Sequence, residues 1–294
     1  MSIGTHINEK FIDNKDKKYI DFIEYLRKKA AWVRKETLNI HKMAPETRLA
    51  SSLSCIEIFV TLYYGNVLKY DPYNIKWNNR DRFIISKGHG AISLYPILAD
   101  LGYFDKSELN IACREGSFLG CIPDSIIPGF ETINGSLGHG LGVACGMAVA
   151  LKMRKKDENI FVLLGDGELY EGSIWEAIMF AGEHKLDNLI TIIDNNKACM
   201  LDYCKNIIDL EPLDEKFKTF RWHTRMVDGH NIDQLYNVLI DLKKDKDNRP
   251  KILIADTIKG KGVPRLESDP LSHIKSISPD EIDEIIGKMG VELS

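Results

Sequence analysis

The first regular pattern of apolar positions runs through "YIDFIEYLRKKAAWVRKETLNIHKM" (19–43). Ile20, Phe22, Ile23, Leu26, Ala30 and Val33 recur near a 3.6-residue period, which predicts a long helix after a polar lead segment, 1–19. Further on the pattern changes to short, continuous apolar runs. "RFIIS" (82–86), "NIFVLL" (159–164), "NLITIID" (188–194) and "PKILIADT" (250–257) are rich in Ile and Val without polar alternation, so they read as strands buried on both faces. Between the second and third, "EGSIWEAIMFAGEHK" sets Ile174, Ile178 and Ala181 on one helical face. In "VDGHNIDQLYNVLIDLKK" another turn and helix follow, with Asn231 as the expected N-cap. Strand–helix–strand units of this length predict an α/β fold: a doubly wound parallel sheet with helices on both faces. No repeat, low-complexity stretch or Pro/Gly/Ser linker interrupts the chain, so residues 1–294 are expected to form a single domain.

Composition narrows the function. The chain has 294 residues, 44% of them hydrophobic, which is ample for a sizeable core. Its net charge of -4, without a basic tail or an aromatic-basic stripe, argues against a nucleic-acid partner. No apolar run approaches the roughly 20 residues of a membrane span, and the polar start lacks a signal-peptide core, so a cytoplasmic location is expected. The six cysteines, at 55, 113, 121, 145, 199 and 204, show no C-x-x-C spacing and are expected to be reduced thiols.

The candidate chemistry begins at "GDGELYEG" (165–172), directly after the apolar run "NIFVLL". In open parallel sheets, ligands bind beyond the carboxyl ends of the strands, and Asp166 is expected at such an end. Gly165 and Gly167 allow a sharp turn and the close approach of an anion to peptide N–H groups. Thirty residues on, at the end of the next expected strand, stands Asn196 of "DNNK". A carboxylate, an amide oxygen and a nearby main-chain carbonyl form an incomplete oxygen set that suits Mg²⁺, which completes its shell with phosphate oxygens and water. A lone G-D-G is more often a plain turn; the second residue at matching spacing is what favours a metal.

These segments carry a resemblance. "GDGELYEGSIWEAIMFAGEHKLDNLITIIDNNK" resembles the thiamine diphosphate motif of transketolases, and the likeness extends through "DRFIISKGHGAISLYPILADLGYF", "PGFETINGSLGHGLGVACGMAVA" and "TIKGKGV", over roughly residues 20 to 280. It covers only the first of the three domains of a full-length transketolase, so the chain resembles the N-terminal, thiamine diphosphate-binding subunit of a split transketolase. The resemblance implies that Asp166, Asn196 and the carbonyl of Ala198 bind Mg²⁺, and that Gly165, Gly167 and the Gly135–Leu137 segment face the diphosphate. It also implies that His89 contacts cofactor and sugar, and that His273 lies near the diphosphate and the reacting carbon. Glu171 and Glu176 match acidic residues at the subunit interface. The glutamate that promotes cofactor deprotonation belongs to the family's middle domain, which has no counterpart here. The chain is therefore expected to be inactive alone and to need a second subunit carrying the pyrimidine-binding and C-terminal domains, in a heterotetramer with two copies of each.

Departures from the family pattern fall on the substrate side. Where many members read approximately "GHPGGSLS", this chain reads "TRLASSLS", which sets Arg48 at the place of an active-site histidine. Cys121 of "GCIPD" stands where another histidine is usual, and "NNKACMLDY" departs from the usual stretch after the metal ligand. Arg48 cannot shuttle protons near neutral pH, but it can fork onto a carboxylate or phosphate. The expected activity is transfer of a two-carbon ketol unit from a ketose to an aldose-like acceptor. A thiamine-dependent 2-oxoacid decarboxylating subunit and a non-catalytic homologue remain as alternatives.

Overall fold

The computed structural model describes residues 14–292; residues 1–13 of the expected lead segment lie outside the described residues. In chain order its elements are α1 (Asn14–Met43), α2 (Leu49–Leu53), α3 (Ile56–Tyr63), β1 (Arg82–Ile85), α4 (Leu94–Leu101), α5 (Gly140–Met153), β2 (Ile160–Gly165), α6 (Gly172–Glu183), β3 (Leu189–Asn195), α7 (Cys204–Ile207), α8 (Leu213–Thr219), β4 (His223–Asp228), α9 (Ile232–Lys244), β5 (Lys251–Asp256), α10 (Pro264–Glu267) and α11 (Pro279–Glu292). Residues 14–19, expected in the polar lead, are instead the first turns of α1. Polar residues extend a helix freely once its later turns are anchored by packing.

All five strands are parallel, in the order β1-β2-β3-β5-β4. The four expected strands are present to within about a residue, and α6 and α9 follow as predicted. Asn231 caps α9, its side-chain oxygen accepting from the Gln234 N–H at 3.2 Å. The fifth strand, β4, was not predicted. It lies at the edge, and only Val227 of "HTRMVD" is buried, so it has no continuous apolar run to betray it.

The sheet is covered on both faces. Along β2, Phe161 and Leu163 enter one core with α1, α3, α4 and α9, while Ile160, Val162 and Leu164 enter another with α5, α6 and α8. Each buried Ile or Leu of this kind contributes about 1.5–3 kcal/mol, which is why these strands read as continuous apolar runs rather than alternating ones. Residues 102–139, between α4 and α5, have only one short 3₁₀ turn, at Lys106–Ile111. Ala112, Leu119 and Ile127 anchor this connection against Ile40, Ile92 and Tyr95.

Candidate functional site

The carboxyl ends of β1, β2, β3 and β5 meet at one edge of the sheet. Gly165 of β2 pairs in register with Asp194 of β3, so Asp166 and Asn196 leave adjacent strands side by side. Asp166 is 6% exposed. Its Oδ1 accepts from the Gly167 N–H at 2.7 Å, and its Oδ2 accepts from the Lys197 N–H. Burial, reinforced by the neighbouring Asp194 charge, pushes the Asp166 carboxyl up to about 6.

Asn196 is oriented by the same neighbour. Its amide donates to Asp194 Oδ2 at 3.1 Å, while its Oδ1 accepts from the Ala198 N–H at 3.2 Å. Asp194 is fully buried and also accepts from Ser54 Oγ at 2.6 Å, from Thr257 Oγ1 and from Lys87 Nζ. Burial would raise the Asp194 carboxyl, but the Lys87 ammonium outweighs that and holds it below the usual carboxylate range.

A second buried lysine closes the site. Lys259 Nζ donates to the carbonyls of Ala198 at 2.7 Å and Cys199 at 2.9 Å. Its burial brings it down to about 8, against the attraction of Asp166. The Ala198 carbonyl thus already engages a cation. With the buried Asp166 carboxylate and the Asn196 amide oxygen, it makes an all-oxygen donor set suited to a hard divalent ion.

The cavity at this edge has a volume of about 310 Å³. Of the residues singled out from sequence, His89, Leu137, Gly165, Asp166, Gly167, Glu171, Asn196, Ala198 and His273 line it. The His89 and His273 rings meet edge to face at 5.5 Å, and His273 Nδ1 lies 3.2 Å from Ser51 Oγ. Burial and the charges of Lys259 and Arg48 bring His273 down to about 3, and burial with Lys87 and Arg48 lowers His89. Both rings are therefore neutral near pH 7.

Four of the expected residues lie outside the cavity lining. Gly135 stands behind it at φ +120, where a Cβ would come within 3.0 Å of Ile122. Arg48 is half-buried just before α2, and among the described residues its guanidinium has no hydrogen-bond or ion-pair partner. Cys121 is half-buried in the long connection, its Sγ 4.0 Å from Glu46 Oε1. Glu176 is exposed on α6 and opens onto a separate hollow with Gly142, Val143 and Phe180, so it does not share the cavity with Glu171.

Three charged lining residues were not anticipated. Lys87 and Lys259 lie inside "SKGHG" and "TIKGKGV", and the available signal was a lysine close behind a buried apolar strand. Glu168 was hidden in the G-D-G-E turn. Its Oε1 accepts from the Gly138 N–H at 2.9 Å and from Ser86 Oγ, and its Oε2 accepts from the Gly165 N–H at 3.2 Å. It ties the glycine-rich loop before α5 to the ends of β1 and β2. Gly138 is needed at that junction: at φ +85, a Cβ there would stand 2.6 Å from Ser173 Oγ.

This architecture has known counterparts. Residues 33–294 match the family described as "Transketolase, thiamine diphosphate binding domain". The 6-deoxy-6-sulfo-D-fructose transketolase subunit SqwG of a Clostridium species is 39% identical over 249 residues, which span 84% of this chain and 90% of that protein. An apulose-4-phosphate transketolase subunit from Actinobacillus succinogenes is 37% identical over 260 residues, spanning 88% of this chain and 93% of that one. A crystal structure of transketolase from Campylobacter jejuni superposes with a TM-score of 0.85 at 29% identity, covering 91% of this chain and 43% of that one. The chain thus spans nearly all of the subunit relatives but less than half of this longer enzyme. It belongs to the transketolase family, in which it corresponds to the thiamine diphosphate-binding domain.

Proposed function

We propose that the 294 residues form a single domain that acts as the N-terminal subunit of a two-chain, cytoplasmic transketolase-type transferase. It holds thiamine diphosphate through Mg²⁺ and moves a two-carbon ketol unit from a ketose to an aldose-like acceptor. The observation that carries this reading is the oxygen set of Asp166, Asn196 and the Ala198 carbonyl, with the Lys259 ammonium already seated on it. Asp166, Asn196 and Ala198 would hold the metal, and Gly165, Gly167 and Leu137 would face the diphosphate, with Gly135 shaping the loop behind.

Thiamine diphosphate, when bound, supplies the carbon nucleophile that carries the two-carbon unit. The protein's part is to bind and to position. His89, neutral at neutral pH, offers one donor and one acceptor nitrogen to sugar hydroxyls, and neutral His273 offers one of its two. His273 Nδ1 is engaged with Ser51 Oγ, which leaves Nε2 as its nitrogen for substrate. Glu171, exposed at the rim, and Glu176, on the outer face of α6, belong to the surface that meets the second subunit. No helix among the described residues is long and apolar enough to cross a membrane.

Support for a second subunit comes from length: the relatives named as subunits are spanned almost entirely, whereas the longer transketolase is not. The missing part would carry the pyrimidine-binding and C-terminal domains, and two copies of each chain would make a heterotetramer. Native mass spectrometry of the chain, tagged and purified from its own cells in Mg²⁺, tests this. The expected result is a complex with a second polypeptide that carries thiamine diphosphate. A lone chain or homodimer that takes up no cofactor when it is added would overturn the reading.

A further inference from the structure

Ser52 joins two residues that are far apart in sequence. Its hydroxyl lies 3.2 Å from the carbonyl of Arg48 and 3.2 Å from the carbonyl of His89. Arg48 is thereby held next to the cavity wall, where its charge acts on both His89 and His273. The other permanent cations here are engaged: Lys87 with Asp194, and Lys259 with two carbonyls. Arg48 alone has a half-buried guanidinium with no partner among the described residues. None of its nitrogens is a buried atom without a partner, so up to five donors face solvent and stand open to a ligand.

We propose that Arg48 is a specificity-determining residue that binds an oxyanionic group of the substrate beside the His89–His273 pair. This rests on the transferase reading above and narrows its substrate class: one of the reactants carries a carboxylate or phosphate within reach of Arg48. The planar guanidinium takes such a group through two parallel N–H···O bonds, a geometry that a lysine or histidine cannot reproduce. A neutral polyol gains little from it. The carboxylate of a 2-oxo acid and the phosphate of a short sugar phosphate share this chemistry, and the experiment separates them.

The test is phenylglyoxal labelling of Arg48, read by peptide mass spectrometry on the complex with its partner, or on the chain alone where no partner co-purifies. Pyruvate, glycolaldehyde phosphate and the neutral sugar xylulose are compared as protectants. Protection by pyruvate assigns a carboxylate and protection by glycolaldehyde phosphate assigns a phosphate, with xylulose ineffective in either case. Protection by none of them, or by xylulose as well as by the anions, overturns the proposal. In parallel, Arg48→Met should weaken binding of the protecting anion about 10- to 100-fold, with Arg48→Lys intermediate. Both variants should bind thiamine diphosphate within about twofold of the parent by tryptophan fluorescence. A tenfold loss of cofactor affinity in Arg48→Met would place Arg48 on the cofactor and also overturn the proposal. Failure of the parent protein to bind thiamine diphosphate at all would instead strike the transferase reading, while the labelling experiment still decides what Arg48 binds.

Discussion

Lys259 sets its ammonium 2.7 Å from the carbonyl oxygen of Ala198, which with Asp166 and Asn196 forms the oxygen set at the end of the sheet. In the cation-free chain this lysine satisfies carbonyls that would otherwise point into a buried site without a donor. Replacing it with methionine leaves them unpaired, at a cost of about 1–3 kcal/mol. Lys259→Met should therefore unfold at lower urea than the parent in EDTA. Saturating Mg²⁺ should restore part of the loss, because the ion takes over the Ala198 oxygen. Equal stabilisation of parent and variant by Mg²⁺ would argue that lysine and metal do not share that carbonyl.

The Asp166 carboxyl, held up at about 6 by burial and the Asp194 charge, sets a pH dependence. Its pKa is raised on folding, so the folded chain binds the proton more tightly than the unfolded one. In EDTA this group makes stability fall as pH rises from about 4 to 6. Mg²⁺ needs the deprotonated form, so its affinity should drop by about tenfold for each pH unit below 6 and level off above it. Calorimetric Mg²⁺ titrations between pH 5 and 8 would show this, and a flat profile would exclude Asp166 as a ligand.

Lys87 and Asp194 form a buried ion pair, and removing one partner leaves a charge with nothing to offset its desolvation. Lys87→Met should cost about 3–5 kcal/mol in urea unfolding. Adding Asp194→Asn should recover a good part of it, since it removes the unpaired buried charge while the amide oxygen still accepts from one of the Ser54 and Thr257 hydroxyls, which donate to different oxygens of Asp194. If the double variant is no more stable than Lys87→Met, the pairing is not what holds this region.

Glu168 collects the Gly138 and Gly165 N–H groups and the Ser86 hydroxyl. Glu168→Ala should release the loop before α5 without opening either core. Hydrogen exchange at Gly138 should accelerate, and thiamine diphosphate affinity should fall about tenfold as the loop must be ordered on binding. Unchanged exchange at Gly138 would show that the loop is held by other contacts.

Of the sheet, β1, β2, β3 and β5 announced themselves, because a strand covered on both faces is apolar at nearly every position, as "IFVLL" is. The edge strand β4 did not, since one buried valine among exposed residues has no period to detect. At the site, Asp166 and Asn196 could be paired from spacing alone, since one strand–helix–strand unit returns the chain to the same edge of the sheet. The lysines could not be assigned in this way, because their role depends on which buried acceptors they meet.

The amino-acid order was enough to establish the parallel α/β architecture, the Asp166–Asn196 pair and the family likeness, all of which follow from local periodicity and from motif spacing. Folding decided the rest, because it depends on contacts between distant segments. Lys259 meets a carbonyl 61 residues away and Lys87 a carboxylate 107 residues away. Arg48 is brought near His89 by the packing of α2 on the Gly88–Ser93 turn, in which Ser52 lies 3.2 Å from both main-chain carbonyls, and no local pattern encodes that its guanidinium should arrive there without a partner among the described residues. Hydrophobic periodicity is written residue by residue, but whether a buried charge is matched or left open is settled only when the whole chain has closed around it.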